Sequence, residues 1–169
     1  MEKSGGFDMS KMSMAGKIIA GAGILLLIDS FLKWQQVCFD FGGVAGLGKT
    51  CGGVNAWSGS GSFFGLLMGL CLIVLLIWEG MQMAGAGGNI KLPISASKAS
   101  AYLGFGVVAF GVLKVLIVLT SAVKPSLFGW VGLILILAVG YGAWMRFQEP
   151  EGTAPPAAAS GGSDGGFSA

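Results

Sequence analysis

Apolar runs as long as a bilayer crossing constrain this chain more than any other feature. Phe63 to Trp78 carries no charge, and Ser126 to Met145 carries none over a full crossing. Ile18 to Trp34 encloses Asp29, and Ala101 to Val123 encloses Lys114. A helix needs about 20 mostly apolar residues to cross about 30 Å of hydrocarbon. A soluble helix keeps a polar face, whereas Leu66 to Trp78 is apolar at every helical angle. Such a helix finds its solvent in lipid, where all backbone polar groups must be satisfied internally. The pattern predicts an all-α membrane protein, a four-transmembrane-helix bundle with helices near 16–34, 62–84, 101–123 and 127–146. Around this domain of residues 16–148 lie an N-terminal segment 1–15, an outer loop 35–61 and a tail 149–169. The tail, rich in Pro, Ala, Gly and Ser, has too little apolar surface to fold alone.

Composition agrees and excludes several function classes. Only 11% of residues are charged and 54% are hydrophobic, against about 25% charged in a soluble domain. A net charge of +2 gives no basis for a nucleic-acid partner. There is no histidine, which removes the commonest general base and metal ligand. Cys38, Cys51 and Cys71 have neither zinc nor iron–sulfur spacing. No cofactor, metal site or enzymatic activity is expected. Lys11 and Lys17 precede the first apolar run like a signal peptide's basic region. No small-residue cleavage site follows before "DSFLKW", so a retained signal anchor is expected.

Basic residues set the expected orientation. Lys3, Lys11, Lys17, Lys91, Lys98 and Arg146 share one side of a four-span layout, and Lys33, Lys49 and Lys124 the other. The positive-inside rule then places both termini in the cytoplasm, in a bacterial cytoplasmic membrane. Trp34, Trp57, Trp130 and Trp144 fall near span ends, as in an interfacial aromatic belt.

The stretch "GVAGLGKT", Gly43 to Thr50, matches the phosphate-binding pattern G-x-x-x-x-G-K-[ST], and "ILLLID", ending at Asp29, imitates the metal-binding strand that accompanies it. A phosphate loop must open a helix. Here Thr50 is followed by "CGGVN", the strand mimic lies inside the first apolar run, and the loop faces the outer compartment. No nucleotide is therefore expected.

The outer loop reads differently. Val37, Phe39 and Phe41 alternate with Cys38 and Asp40, a two-residue period, and eight glycines between 42 and 61 supply turns. A small hairpin-like cap is expected, stapled by a Cys38–Cys51 disulfide on the oxidising side; the alternative is two free thiols. Cys71 reads as a packing residue in a helix.

Asp29, Glu79 and Lys114 are charges within or at the edge of spans. At about 1.5 Å per residue, Asp29 and Lys114 lie roughly 18 and 20 Å from the cytoplasmic edge, a shared depth in the outer half. Glu79 lies about 7 Å from that edge and reads as an interfacial charge that snorkels. An intramembrane ion pair, Asp29–Lys114, is expected between helices 1 and 3, either as a packing clamp or as part of an ion pathway; separate snorkelling of the two is the other reading. Gly65/Gly69, Ser100/Gly104 and Ala138/Gly142 repeat small residues at a spacing that lets helices approach, within one molecule or between copies. Ser97 or Ser100 is placed to cap the third helix.

Two resemblances follow. "GILLLIDSFLKW", a Gly-rich loop with "NAWSGSGSFFGLL", and the Pro/Ala/Gly tail resemble the small four-span integral membrane proteins of Actinobacteria-type and related bacterial genomes, a family that implies no activity. The layout is also similar to claudins, with Trp34, Cys38 and Cys51 in the first outer loop. The claudin G-L-W is absent, with "GLGK" near its place, and the loop is much shorter. The expected function is a non-catalytic accessory or scaffold subunit of a bacterial membrane protein assembly. The alternatives are a self-assembling claudin-like or channel-like homo-oligomer, or a small ion transporter using Asp29 and Lys114. Expected partners are the lipid bilayer and other membrane subunits or copies of the same chain.

Overall fold

The computed structural model describes residues 13–39, 50–84 and 94–149. Four helices, α1 (Met14–Asp29), α2 (Ser62–Met83), α3 (Ala96–Thr120) and α4 (Leu127–Gln148), carry a small sheet of β1 (Gln35–Phe39), β2 (Thr50–Val54) and β3 (Lys124–Pro125). Helix α1 packs against α2 and α4, and α3 packs against α2 and α4. Ile19, Leu26, Met68, Leu72, Val107 and Ile136 meet in the centre with no exposed surface. The outward faces are equally apolar: Leu70, Ile77, Leu116, Ile134 and Leu137 all stand exposed. Apolar side chains both inside and outside are the arrangement of a protein solvated by hydrocarbon. Helices α2, α3 and α4 are long and apolar enough to cross a membrane.

Helix α1 is shorter than its apolar run. It has 16 residues, about 24 Å of rise, and ends at Asp29 rather than near residue 34. A carboxylate in the last turn opposes the helix dipole, and the chain turns away at Ser30, whose N–H donates to the Leu26 carbonyl at 2.8 Å. Helix α3 begins at Ala96, five residues before the expected start, and its N-cap is Ser95 rather than Ser97 or Ser100. Ser126 caps α4 by accepting from the Gly129 N–H.

The sheet order is β2-β1-β3, antiparallel throughout. Cys38 faces Cys51 in register and the two form a disulfide. The hairpin and its staple follow the two-residue period and the cysteine spacing. The third strand was not expected. The short α3–α4 connection adds Lys124 and Pro125 to the β1 edge, and the missing N–H of Pro125 is tolerated at an outer strand. Replacing Cys38 and Cys51 together with serine is expected to cost about 3 kcal/mol, the chain-entropy value for a loop of this length. The check is the melting temperature of the purified protein with and without the substitutions. An unchanged value would show that the sheet contacts alone hold the hairpin.

Candidate functional site

The distinctive chemistry lies where the sheet meets the ends of the helices away from Arg146. Trp34, one residue before β1, is 2% exposed. Its ring occupies a notch in α4: a side chain on Gly132 would collide with the indole, and one on Gly129 would meet the Trp34 carbonyl. Its Nε1–H donates to the Asp29 carbonyl at 3.0 Å and to Asp29 Oδ2 at 2.9 Å. Trp57 is the counterpart on the other flank. Its ring fills the space beside Gly69 of α2, while the Ala56 carbonyl fills that beside Gly65. Its Nε1–H donates to Ser30 Oγ at 3.1 Å, and Ser30 Oγ donates to the Leu27 carbonyl at 2.6 Å. The last residue of α1 and its C-cap thus each supply an acceptor to an indole.

Residues 55–61 form the bridge from β2 to α2. Gly59 and Gly61 have φ of 76° and 72°, the left-handed region that L side chains rarely adopt, which permits the tight descent into α2. Gln35 clamps this bridge, donating from Nε2 to the Ser60 carbonyl at 2.9 Å and accepting from the Ser60 N–H at 3.1 Å. Lys114 rises from α3 with no exposed surface, and its Nζ donates to the carbonyls of Ser60 at 3.2 Å and Ser58 at 3.5 Å.

Asp29 and Lys114 therefore do not form the expected ion pair. Asp29 works against α4 through Trp34, and Lys114 works against α2 through the 55–61 bridge. A shared depth did not imply a shared side. Glu79 also departs from expectation. It does not snorkel: it is 1% exposed, and its Oε2 accepts from Arg146 Nη2 at 2.8 Å, joining α2 to α4. Arg146 Nη1 also donates to Glu149 Oε2 at 3.1 Å. Nearby, Gln82 Nε2 donates to Ser100 Oγ at 3.3 Å, tying α2 to α3. Depth counted along α2 alone leaves out Arg146, at the expected end of the fourth span on the same side, which comes level with Glu79.

The small-residue spacings resolve into contacts within the molecule. Gly104 receives Ala143 of α4, and Gly142 receives Ile18 and Ile19 of α1. Gly65 and Gly69 instead receive the Ala56–Trp57 turn. Cys71 packs beside Gly106, as a small apolar residue does. Of the phosphate-loop match, Gly43 to Lys49 lies outside the described residues. Thr50 starts strand β2 rather than a helix, and Asp29 ends a helix rather than a strand. Trp130 and Trp144 are half-exposed at opposite ends of α4, whereas Trp34 and Trp57 are plugs. The signal for the plugs is present in the sequence: one tryptophan just before the 35–61 loop and one near its end, with glycine pairs at the near ends of two helices.

Gly69→Val tests this seating. A branched side chain there competes with the Trp57 ring, and an overpacking cost of about 2–3 kcal/mol is expected, read as a fall in melting temperature. Gly80, which has open space around it, provides the control: Gly80→Val is expected to change stability far less.

No family model, curated protein or solved structure matches the chain.

Proposed function

We propose that the chain is a four-span integral membrane protein of a bacterial cytoplasmic membrane, with the sheet outside and both termini in the cytoplasm. Its role is that of a non-catalytic accessory or scaffold subunit. Helix α1 is short, but Lys17 at its inner end is exposed and can extend to the interface, and the Ser30–Trp34 turn continues its outer end. The disulfide belongs in an oxidising compartment, and the sheet that carries it lies at the end of the helices away from Arg146. Basic residues favour the opposite side as cytoplasmic. Exposed Trp144, Tyr102 and Phe147 at one end of the helices, and Phe63, Phe128 and Trp130 at the other, fit two interfacial belts.

One observation carries the functional reading. Buried polar side chains hold structure together: Asp29 and Ser30 hold indoles, Gln35 and Lys114 hold the bridge, and Glu79 holds Arg146. The loss of the Asp29–Lys114 pair also takes away the residue pair on which a transport reading rested. A rigid, capped helix cluster suits assembly better than chemistry.

Self-assembly is the second reading, favoured by β2. Among the described residues it pairs on one side only, with β1, and Cys51 and Gly52 are exposed. An open strand edge is a template for a further strand. The test is the mass and composition of the particle extracted from its own membrane in mild detergent. A companion protein at fixed stoichiometry supports the accessory role, a closed homo-oligomer moves the reading to self-assembly, and a lone monomer contradicts both.

A further inference from the structure

Between the outer halves of α1 and α4 lies a laterally open groove of about 300 Å³, lined by Leu25, Ile28, Leu32, Phe128, Val131 and Leu135, with Asp29 as its one ionisable residue. Asp29 is 4% exposed. One of its carboxylate oxygens accepts from Trp34, and among the described residues the other accepts no hydrogen bond. A carboxylate oxygen left free at the end of an apolar groove is costly unless a donor reaches it. The geometry points to a binding site for a phospholipid whose headgroup ends in a primary ammonium, its acyl chain along the groove and its N–H donors on Asp29. This rests on the membrane reading, in which the groove opens to the outer leaflet.

Charge and shape together select this occupant. The lining is apolar and suits a hydrocarbon chain, while the single polar group is an acceptor that favours a cation bearing N–H. A quaternary ammonium has the charge but no donor, and an anionic headgroup is repelled. A protein helix is about 10 Å across and lies over such a groove rather than within it. A second copy of the chain would therefore contact the rim residues and leave the carboxylate unmet.

The test is native mass spectrometry of the purified full chain, given phosphatidylethanolamine, phosphatidylcholine and phosphatidylglycerol with identical acyl chains. The ethanolamine lipid is expected to be retained roughly tenfold over the choline lipid, the scale of one charge-assisted hydrogen bond. Asp29→Asn keeps an acceptor for the Trp34 indole and removes the charge; it is expected to bring the preference to within about twofold. Val131→Trp and Ile28→Trp change exposed lining residues and fill the groove with Asp29 intact, so either is expected to reduce retention of the ethanolamine lipid. Equal retention of the lipids by the unsubstituted chain overturns the proposal without requiring any variant to fold. An unchanged preference in Asp29→Asn overturns it as well, as does a groove-filled variant that alters oligomeric state and not lipid retention. Carbonate extraction of membranes separates the two readings. A chain released by carbonate defeats the membrane reading and this one with it, whereas a chain that resists extraction and shows no preference defeats this one alone.

Discussion

Trp34→Ala is expected to unseat the sheet from the helices at a cost of about 4 kcal/mol, within the range for truncating a buried tryptophan. Two losses coincide, and the position of Trp34 spreads their effect. The indole leaves a void against Gly132, which has no side chain to fill it. Asp29 loses the donor on its Oδ2, and a buried acceptor without its partner carries a desolvation penalty. Finally, Trp34 is the hinge of the sheet: its N–H donates to the Val54 carbonyl at 2.9 Å and its carbonyl accepts from the Ser126 N–H at 2.9 Å, so strain there reaches β2 and α4 together. Thermal unfolding in detergent reads the effect. Trp130→Ala is the matched control. Its ring is 47% exposed, so a change below about 1 kcal/mol is expected, since surface positions away from special features rarely cost more. Equal effects at the two tryptophans would mean that Trp34 is not a plug.

The second large effect is at the helix ends away from the sheet. Glu79→Ala leaves the Arg146 guanidinium without its closest partner. Breaking a buried pair from one side costs about 3–5 kcal/mol, because the remaining charge stays buried. Glu149 still accepts from Arg146, which puts the expected value near the lower bound. Replacing both residues with apolar ones, Glu79→Leu with Arg146→Met, is expected to recover most of the loss, since a buried pair is often replaceable by well-packed hydrophobic groups. The double-mutant cycle measures the coupling directly. A double variant as unstable as the single one would show that the two side chains act independently. Asp29→Asn, by contrast, is expected to cost little, because the amide oxygen still accepts from the indole. An Asp29–Lys114 ion pair would instead give a marked loss at that position.

Much of the architecture was legible because its signals are one-dimensional. Apolar runs in Phe63–Trp78 and Ser126–Met145 mark helices wherever they pack. The alternation in Val37–Phe41 and the spacing of Cys38 and Cys51 mark a stapled hairpin within a short stretch of chain. What was misread is three-dimensional. Asp29 and Lys114 have similar depth but belong to different flanks, and depth along a helix says nothing about rotation around it. Glu79 was read from its own helix alone, so Arg146, distant in sequence, was missed as its partner. Gly65 and Gly69 were read as a helix contact, because sequence spacing does not distinguish an approaching helix from an inserted indole. The β3 strand carries almost no local signal: two residues, one of them proline, pair only because β1 lies beside them.

The central claim is that all four helices cross the membrane and that the stapled sheet lies outside. It is tested most directly by labelling single cysteines in intact cells with a membrane-impermeant thiol reagent, on a Cys71→Ser background that keeps the Cys38–Cys51 disulfide. Cysteines at Ser4, near one end, at Ser163, near the other, and at Ser58, in the bridge beneath the sheet, suffice. The account predicts labelling at position 58 in intact cells, and at positions 4 and 163 only after the membrane is opened. Labelling at position 4 from outside, with position 163 protected, would show that α1 does not cross, and would contradict the four-span account.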